Sequence, residues 1–230
     1  MWQSPGVTIV ALVCPAWRDR HGALPEALAG TPAHDLPARP GRTDLAPLLA
    51  DPAPDRVVLA GTDADLNALV LRLLRTERLA TTEVAYLPAH ADSRVADIWS
   101  LPTAPATAAK LAAHGEPDPV PLVRDDAGGV LVGRGEIRPI SGVVYCDDQV
   151  VLRGQAGRLE VTPVAPHGVL VGVRRSGLFG RRVRPVPGRA VQIGCTPATV
   201  TIDGEPHPRP VTRWTWYRHT EPLRLVRGLA

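Results

Sequence analysis

The sequence predicts a two-part chain: an α/β N-terminal domain with a mostly parallel sheet, followed by a C-terminal all-β sandwich. Three observations predict it. Apolar runs alternate with amphipathic helical stretches through the first half, the pattern of strands joined by crossover helices. In the second half helical periodicity stops, and short apolar runs recur between turn residues. The charge balance changes at the same place: residues 1–112 carry 10 basic and 12 acidic side chains, residues 113–230 carry 16 and 11.

Taken in order, residues 7–13 form a continuous apolar run ending at Pro15, a buried strand. Residues 45–49 predict a short helix. Residues 56–60, Arg-Val-Val-Leu-Ala, predict a second buried strand closed by Gly61. Leu66, Leu69, Val70, Leu73 and Leu74 then fall at i, i+3, i+4, i+7 and i+8, one buried helix face. Thr62 or Asp63 can cap that helix, and Asp65 lies in its first turn. Residues 84–87 predict a third strand and residues 93–99 a helix. The alanine-rich stretch 103–113 predicts another helix, stopped by Gly115 and Pro117. The proline-rich stretch 115–119 marks the boundary, giving domains 1–116 and 117–230, with the last strand returning to the first domain.

In the second half, residues 143–145 and 150–152 flank Cys146-Asp147-Asp148-Gln149 as a hairpin. Further strands are expected at 130–132, 159–161, 169–173, 190–193, 200–202, 211–216 and 223–226. Trp214 and Trp216 alternate onto one strand face, where core packing is the expected role and ligand stacking the lesser one.

Composition narrows the function classes. The 230 residues are 44% hydrophobic and 21% charged, enough to bury a core. With 25 prolines and 21 glycines, turns are many and elements short. The basic set is 25 arginines and one lysine, Lys110, so cationic contacts to phosphate fall to arginine almost everywhere. Three widely spaced cysteines, Cys14, Cys146 and Cys195, make neither a Cys-x-x-Cys pair nor a Cys/His cluster at metal spacing. Buried thiols in a reducing cytoplasm are expected. The first apolar run is far short of the roughly 20 residues of a membrane span and has no signal-peptide flanks. A soluble cytoplasmic protein is therefore expected.

Two stretches carry candidate chemistry. In residues 57–67 a strand, a glycine turn and a helix start follow one another, and backbone N–H groups at a helix N-terminus attract phosphate. The lysine-bearing phosphate loop is absent, and Asp63 and Asp65 place negative charge where a phosphate would sit unless a metal ion bridges them. Locally this reads as a helix cap. The second stretch, residues 174–189, holds six arginines and no acid. It reads as a solvated basic loop or as a contact for an anionic membrane, with Leu178 and Phe179 at a turn tip between Arg174, Arg175, Arg181 and Arg182. Nucleic acid is not expected there, because aromatic stacking residues do not alternate with the arginines, Phe179 being the single aromatic in the stretch.

The chain resembles the diacylglycerol kinase catalytic-domain family, related to sphingosine kinases and NAD kinases. The family signature after a strand is G-G-D-G-T-L-N-E; residues 61–68 read G-T-D-A-D-L-N-A, matching at Gly61, Asp63, Leu66 and Asn67. The second signature, P-x-G-T-G-N-D-x-A-R-x-L-G-[IL]-P, aligns with residues 88–102, matching at Pro88, Ala96, Leu101 and Pro102. Its G-T-G-N-D centre is replaced by His90, Ala91, Asp92, Ser93 and Arg94. Residues 203–205 match the family's D-G-E, and Cys14-Pro15 stands where members have Asn-Pro.

This resemblance implies ATP and Mg2+ as cofactors and phosphoryl transfer to a lipid hydroxyl. Asp203 would be the base and Glu205 would help place the metal. Gly61, Thr62, Asp63, Asn67, His90 and Arg94 would lie at the nucleotide, and no protein metal-ligand set is assigned. A homodimer, and peripheral attachment to the inner membrane face, are further expectations. The glycines lost from both centres are those that let backbone approach phosphate closely. The alternative is therefore a catalytically inactive relative acting as a nucleotide-, lipid- or protein-binding module.

Overall fold

A computed structural model describes residues 7–174 and 184–228. The chain divides into two compact units, 1–119 with 223–230, and 120–222.

The first unit contains β1 (Ile9–Val13), α1 (Pro15–His21), β2 (Ala33–Asp35), α2 (Arg42–Leu45), β3 (Arg56–Gly61), α3 (Asp63–Arg75), β4 (Glu83–Pro88), α4 (Arg94–Trp99) and α5 (Pro105–His114). The four strands form a parallel sheet in the order β2-β1-β3-β4. β3 is buried at all six positions and β1 and β4 nearly so, as expected of parallel strands covered on both faces. α3 buries Leu66, Leu69, Val70 and Leu73, the stripe its spacing predicts. α5 starts with Pro105 at its first turn, where the missing N–H costs nothing, and buries Ala108, Ala109 and Ala112 against β4. Arg56, only 5% exposed, ties the start of β3 to the end of that helix. Its guanidinium donates to the Ala112 and Gly115 carbonyls at 2.8 Å each, and to Glu83 at 2.9 Å.

Two elements of this unit lack the patterns that betray helices and strands. α1 buries Trp17 alone, so no apolar stripe announces it. β2 is exposed at all three positions and lies at the sheet edge, so it has no apolar run.

The second unit is an antiparallel sandwich. Its strands follow β5 (Glu116–Pro117) of the first unit: β6 (Val123–Asp125), β7 (Val130–Leu131), β8 (Gly135–Ile137), β9 (Ile140–Cys146), β10 (Gln149–Ala156), β11 (Arg158–Val164), β12 (Gly168–Arg174), β13 (Val186–Gly188), β14 (Ala190–Ala198), β15 (Val200–Ile202), β16 (Glu205–Pro206) and β17 (Val211–Arg218). One six-stranded sheet runs β10-β9-β14-β17-β6-β7 and the other β13-β12-β11-β8-β15-β16. Their inner faces supply one core, with Val144, Val191, Trp214 and Trp216 from the first sheet and Ile137, Leu159, Val161 and Val171 from the second. The expected hairpin is β9–β10, with Cys146 opposite Gln149. The strand expected at 223–226 is displaced: β18 (Val226–Gly228) pairs with β5 in the first unit.

Cys14, Cys146 and Cys195 are free thiols. Among the described residues, no helix is long and apolar enough to cross a membrane. Arg174 ends β12 and is exposed; Arg175, Leu178, Phe179, Arg181 and Arg182 lie outside the described residues.

Candidate functional site at the strand ends

In an open parallel sheet, ligands bind beyond the carboxyl ends of the strands, where the strand order reverses. Here the order reverses between β1 and β3, so the crevice lies between Cys14 and the Gly61-Thr62 turn. The structure brings Gly61, Thr62, Asp63, Asn67, His90 and Arg94 to this edge of the first unit: the first four at the end of β3 and the start of α3, the other two just after β4. Asp203 and Glu205 belong to the second unit.

The crevice is filled by Asp65. This carboxylate is 2% exposed. One oxygen accepts from the Thr62 backbone N–H at 2.8 Å and from the Thr62 hydroxyl at 2.9 Å. The other accepts from the Arg39 backbone N–H at 2.6 Å. The Thr62 hydroxyl in turn accepts from the Asp65 N–H, which completes a capping box at the start of α3. Gly61 leaves room for this: a Cβ there would come within 2.7 Å of the Asp65 carboxylate. Cys14 closes the other side of the crevice. Its thiol is pushed up to about 12, by burial first and then by the Asp65 charge, so it is no nucleophile.

Asp63 does the same at the next strand end. One oxygen accepts from the Ser93 hydroxyl at 2.6 Å and the Tyr86 hydroxyl at 2.9 Å. The other accepts from the Arg94 and Val95 backbone N–H groups at 2.8 and 3.3 Å, the first turn of α4. Ser93 caps that helix by accepting from the Ala96 N–H. Tyr86 is raised well above its ordinary value by burial and then by the Asp63 charge, so its hydroxyl stays protonated as a donor. His90 is exposed and lies 3.4 Å from the Arg20 guanidinium; Arg94 pairs with Asp97 at 2.6 Å.

In the second unit, Asp203 and Gly204 form the two-residue turn between β15 and β16, with φ of 50° and 93°. Two successive residues at positive φ are what a tight hairpin of the type I′ class demands, and Asp-Gly supplies them. The Asp203 carboxylate accepts from the backbone N–H groups of Val132, Gly133 and Arg134 at 3.0, 2.7 and 2.8 Å. Glu205 is half-buried on the far side of the turn.

These residues do not fit Mg-ATP at the strand ends. The Thr62 and Arg39 N–H groups already hold the Asp65 carboxylate, which replaces the signature's Thr, and a phosphate brought there would meet negative charge. Each oxygen of Asp63 already accepts two donors, which leaves it poorly placed as a cation ligand. Among the described residues no cluster of three or more His, Cys, Asp or Glu could hold a metal ion. Residue spacing alone left Tyr86, Ser93 and Arg39 out of this site. Ser93 and Tyr86 reach it only because β4 lies beside β3, and Arg39 contributes backbone, which no side-chain pattern reveals.

Solved structures match the parallel α/β unit and the antiparallel sandwich across the chain. A diacylglycerol kinase from Bacillus anthracis str. Sterne matches with a TM-score of 0.70 at 13% identity, covering 98% of both chains. An NAD kinase from Archaeoglobus fulgidus, solved in complex with ATP, matches with a TM-score of 0.55 at 14% identity, covering 96% of this chain and 94% of that one. Yeast NADH kinase, solved with NADH, matches with a TM-score of 0.51 at 10% identity, covering 99% and 85%. No protein-family model matches the chain, and no curated protein matches it. The chain therefore shares its fold with solved diacylglycerol kinase and NAD kinase structures.

Proposed function

We propose that this chain is a binding module on a lipid-kinase-like fold that does not transfer phosphoryl groups. One observation carries the reading: at the strand end where the resemblance puts nucleotide phosphate, the chain supplies an anion that the family signature lacks, Asp65 in place of its Thr. Asp65 takes the Thr62 and Arg39 N–H groups. Phosphoryl transfer depends on positioning and neutralising phosphate charge. A cradle filled by a carboxylate provides neither. Asp203 is read in the same way, as an anchor that holds the 132–134 backbone to the β15–β16 turn, rather than as a base.

The test is thermal unfolding of the purified chain with and without millimolar Mg-ATP, followed by a phosphate-transfer assay on diacylglycerol. A ligand at 100 times its Kd adds about 2.7 kcal/mol. For a chain of this size that raises the midpoint by about 5–10 °C. The midpoint is expected to stay unmoved and no labelled phosphate to reach lipid. A magnesium-dependent rise together with transfer would overturn the proposal, and Asp203→Ala would then be tested for loss of turnover.

A further inference from the structure

The first unit holds a cleft of about 1180 Å3 that the strand-end site does not use. It lies along α5, between that helix, the turn at 25–27 and the 100–102 segment after α4. Its size exceeds the roughly 300–1,000 Å3 of ordinary small-molecule sites.

The helix explains why the cleft is lined as it is. α5 packs on the sheet through Ala108, Ala109 and Ala112 and also buries Leu111, while Ala106, Thr107, Lys110 and His114 are exposed. Thr107, Lys110, Leu111 and His114 fall at i, i+3, i+4 and i+7, a single stripe, and all four line the cleft. Ala27, Leu101 and Pro102 continue the apolar lining from the facing segments. Three basic side chains are among its lining: Lys110, His114 and Arg227.

The charges are unevenly matched. Arg227 pairs with Asp118 and lies 5.6 Å from the Trp99 ring centre, which fixes its guanidinium at the cleft wall. Lys110, the only lysine in the chain, makes no ion pair among the described residues. Glu26 is the one carboxylate among the lining residues. A cleft with apolar lining and an unpaired ammonium on its wall is complementary to a molecule with an apolar body and an anionic head.

We infer that this cleft binds a single-chain anionic amphiphile of the long-chain carboxylate class, its chain along Leu101, Pro102 and Leu111 and its carboxylate at Lys110. The inference does not depend on whether the strand ends hold a nucleotide.

The experiment titrates the full chain with sodium dodecanoate below its micelle threshold, by calorimetry, beside dodecanol and acetate. Two variants are compared, Lys110→Glu and Ala106→Trp; both positions are exposed, so their melting curves should match wild type. Dodecanoate is expected to bind wild type saturably. Lys110→Glu should weaken it at least tenfold, and Ala106→Trp should abolish it by filling the cleft. Acetate should give no heat and dodecanol should bind more weakly than dodecanoate. Absence of dodecanoate binding, or binding that neither variant changes, overturns the inference. Equal affinity for dodecanol and dodecanoate would remove the carboxylate–Lys110 contact and overturn the anionic assignment. Mg-ATP is titrated separately, so a nucleotide site and an amphiphile site are told apart.

Discussion

At the scale of the residue, three aspartates share one chemistry: each carboxylate collects N–H donors that would otherwise be unsatisfied or open to an anion. Asp65 is the most buried of them. Replacing it with alanine strips the acceptor from Thr62 N–H, Thr62 Oγ1 and Arg39 N–H together, and breaks the cap of a 13-residue helix. Losing a cap costs about 0.5–2 kcal/mol, and each buried donor left without a partner about 1–3. Asp65→Ala is therefore expected to lower unfolding free energy by about 2–4 kcal/mol in urea melts, and Asp65→Asn by less, since it keeps an acceptor oxygen. A loss below about 1 kcal/mol would show that water satisfies these amides and that the crevice is open to a ligand.

At the scale of the element, the two sheets of the sandwich pack closely where β8 crosses β17. A Cβ on Gly135 would come 2.5 Å from the Trp216 ring, which is fully buried. The two sheets thus meet at a glycine facing an indole, and no small shift of a flexible side chain relieves the clash. Gly135→Ala is expected to destabilise by about 1–3 kcal/mol as overpacking. Tryptophan emission should shift as Trp216 moves; unchanged stability and emission would contradict the packing argument. This contact also shows what a sequence hides. The buried runs β1, β3 and β4 and the stripe of α3 are legible because period and burial coincide. β8, Gly-Glu-Ile, is not, because its middle residue Glu136 is charged yet only 5% exposed, covered by Arg138 and Arg158. In the candidate site the same division holds. Thr62 or Asp63 is readable as the cap and Asp65 as a first-turn acid. Their partners Tyr86, Ser93 and the Arg39 backbone are brought in by strand order, which local spacing does not encode.

At the scale of the whole molecule, each unit has its own core, and the cysteines within those cores make folding sensitive to alkali. Cys14 in the first core is raised to about 12 and Cys146 in the second to about 11, each by burial first and then by a neighbouring aspartate. Tyr86 moves the same way. A thiol whose folded pKa lies above its unfolded value of 9.0 holds its proton in the folded state and loses it on unfolding. Stability is thus full below pH 9 and falls as pH rises toward the folded values. At pH 10.5, Cys14 alone weakens the first unit by about 2 kcal/mol, from about 1.4 kcal/mol per pH unit. That lowers the unfolding midpoint by about 4–8 °C between pH 8 and pH 10.5. In Cys14→Ala that portion of the fall should vanish, whatever stability the variant loses at pH 8. Identical slopes in both proteins would show that the Cys14 thiol reaches solvent, and with it that the crevice beside Asp65 is open.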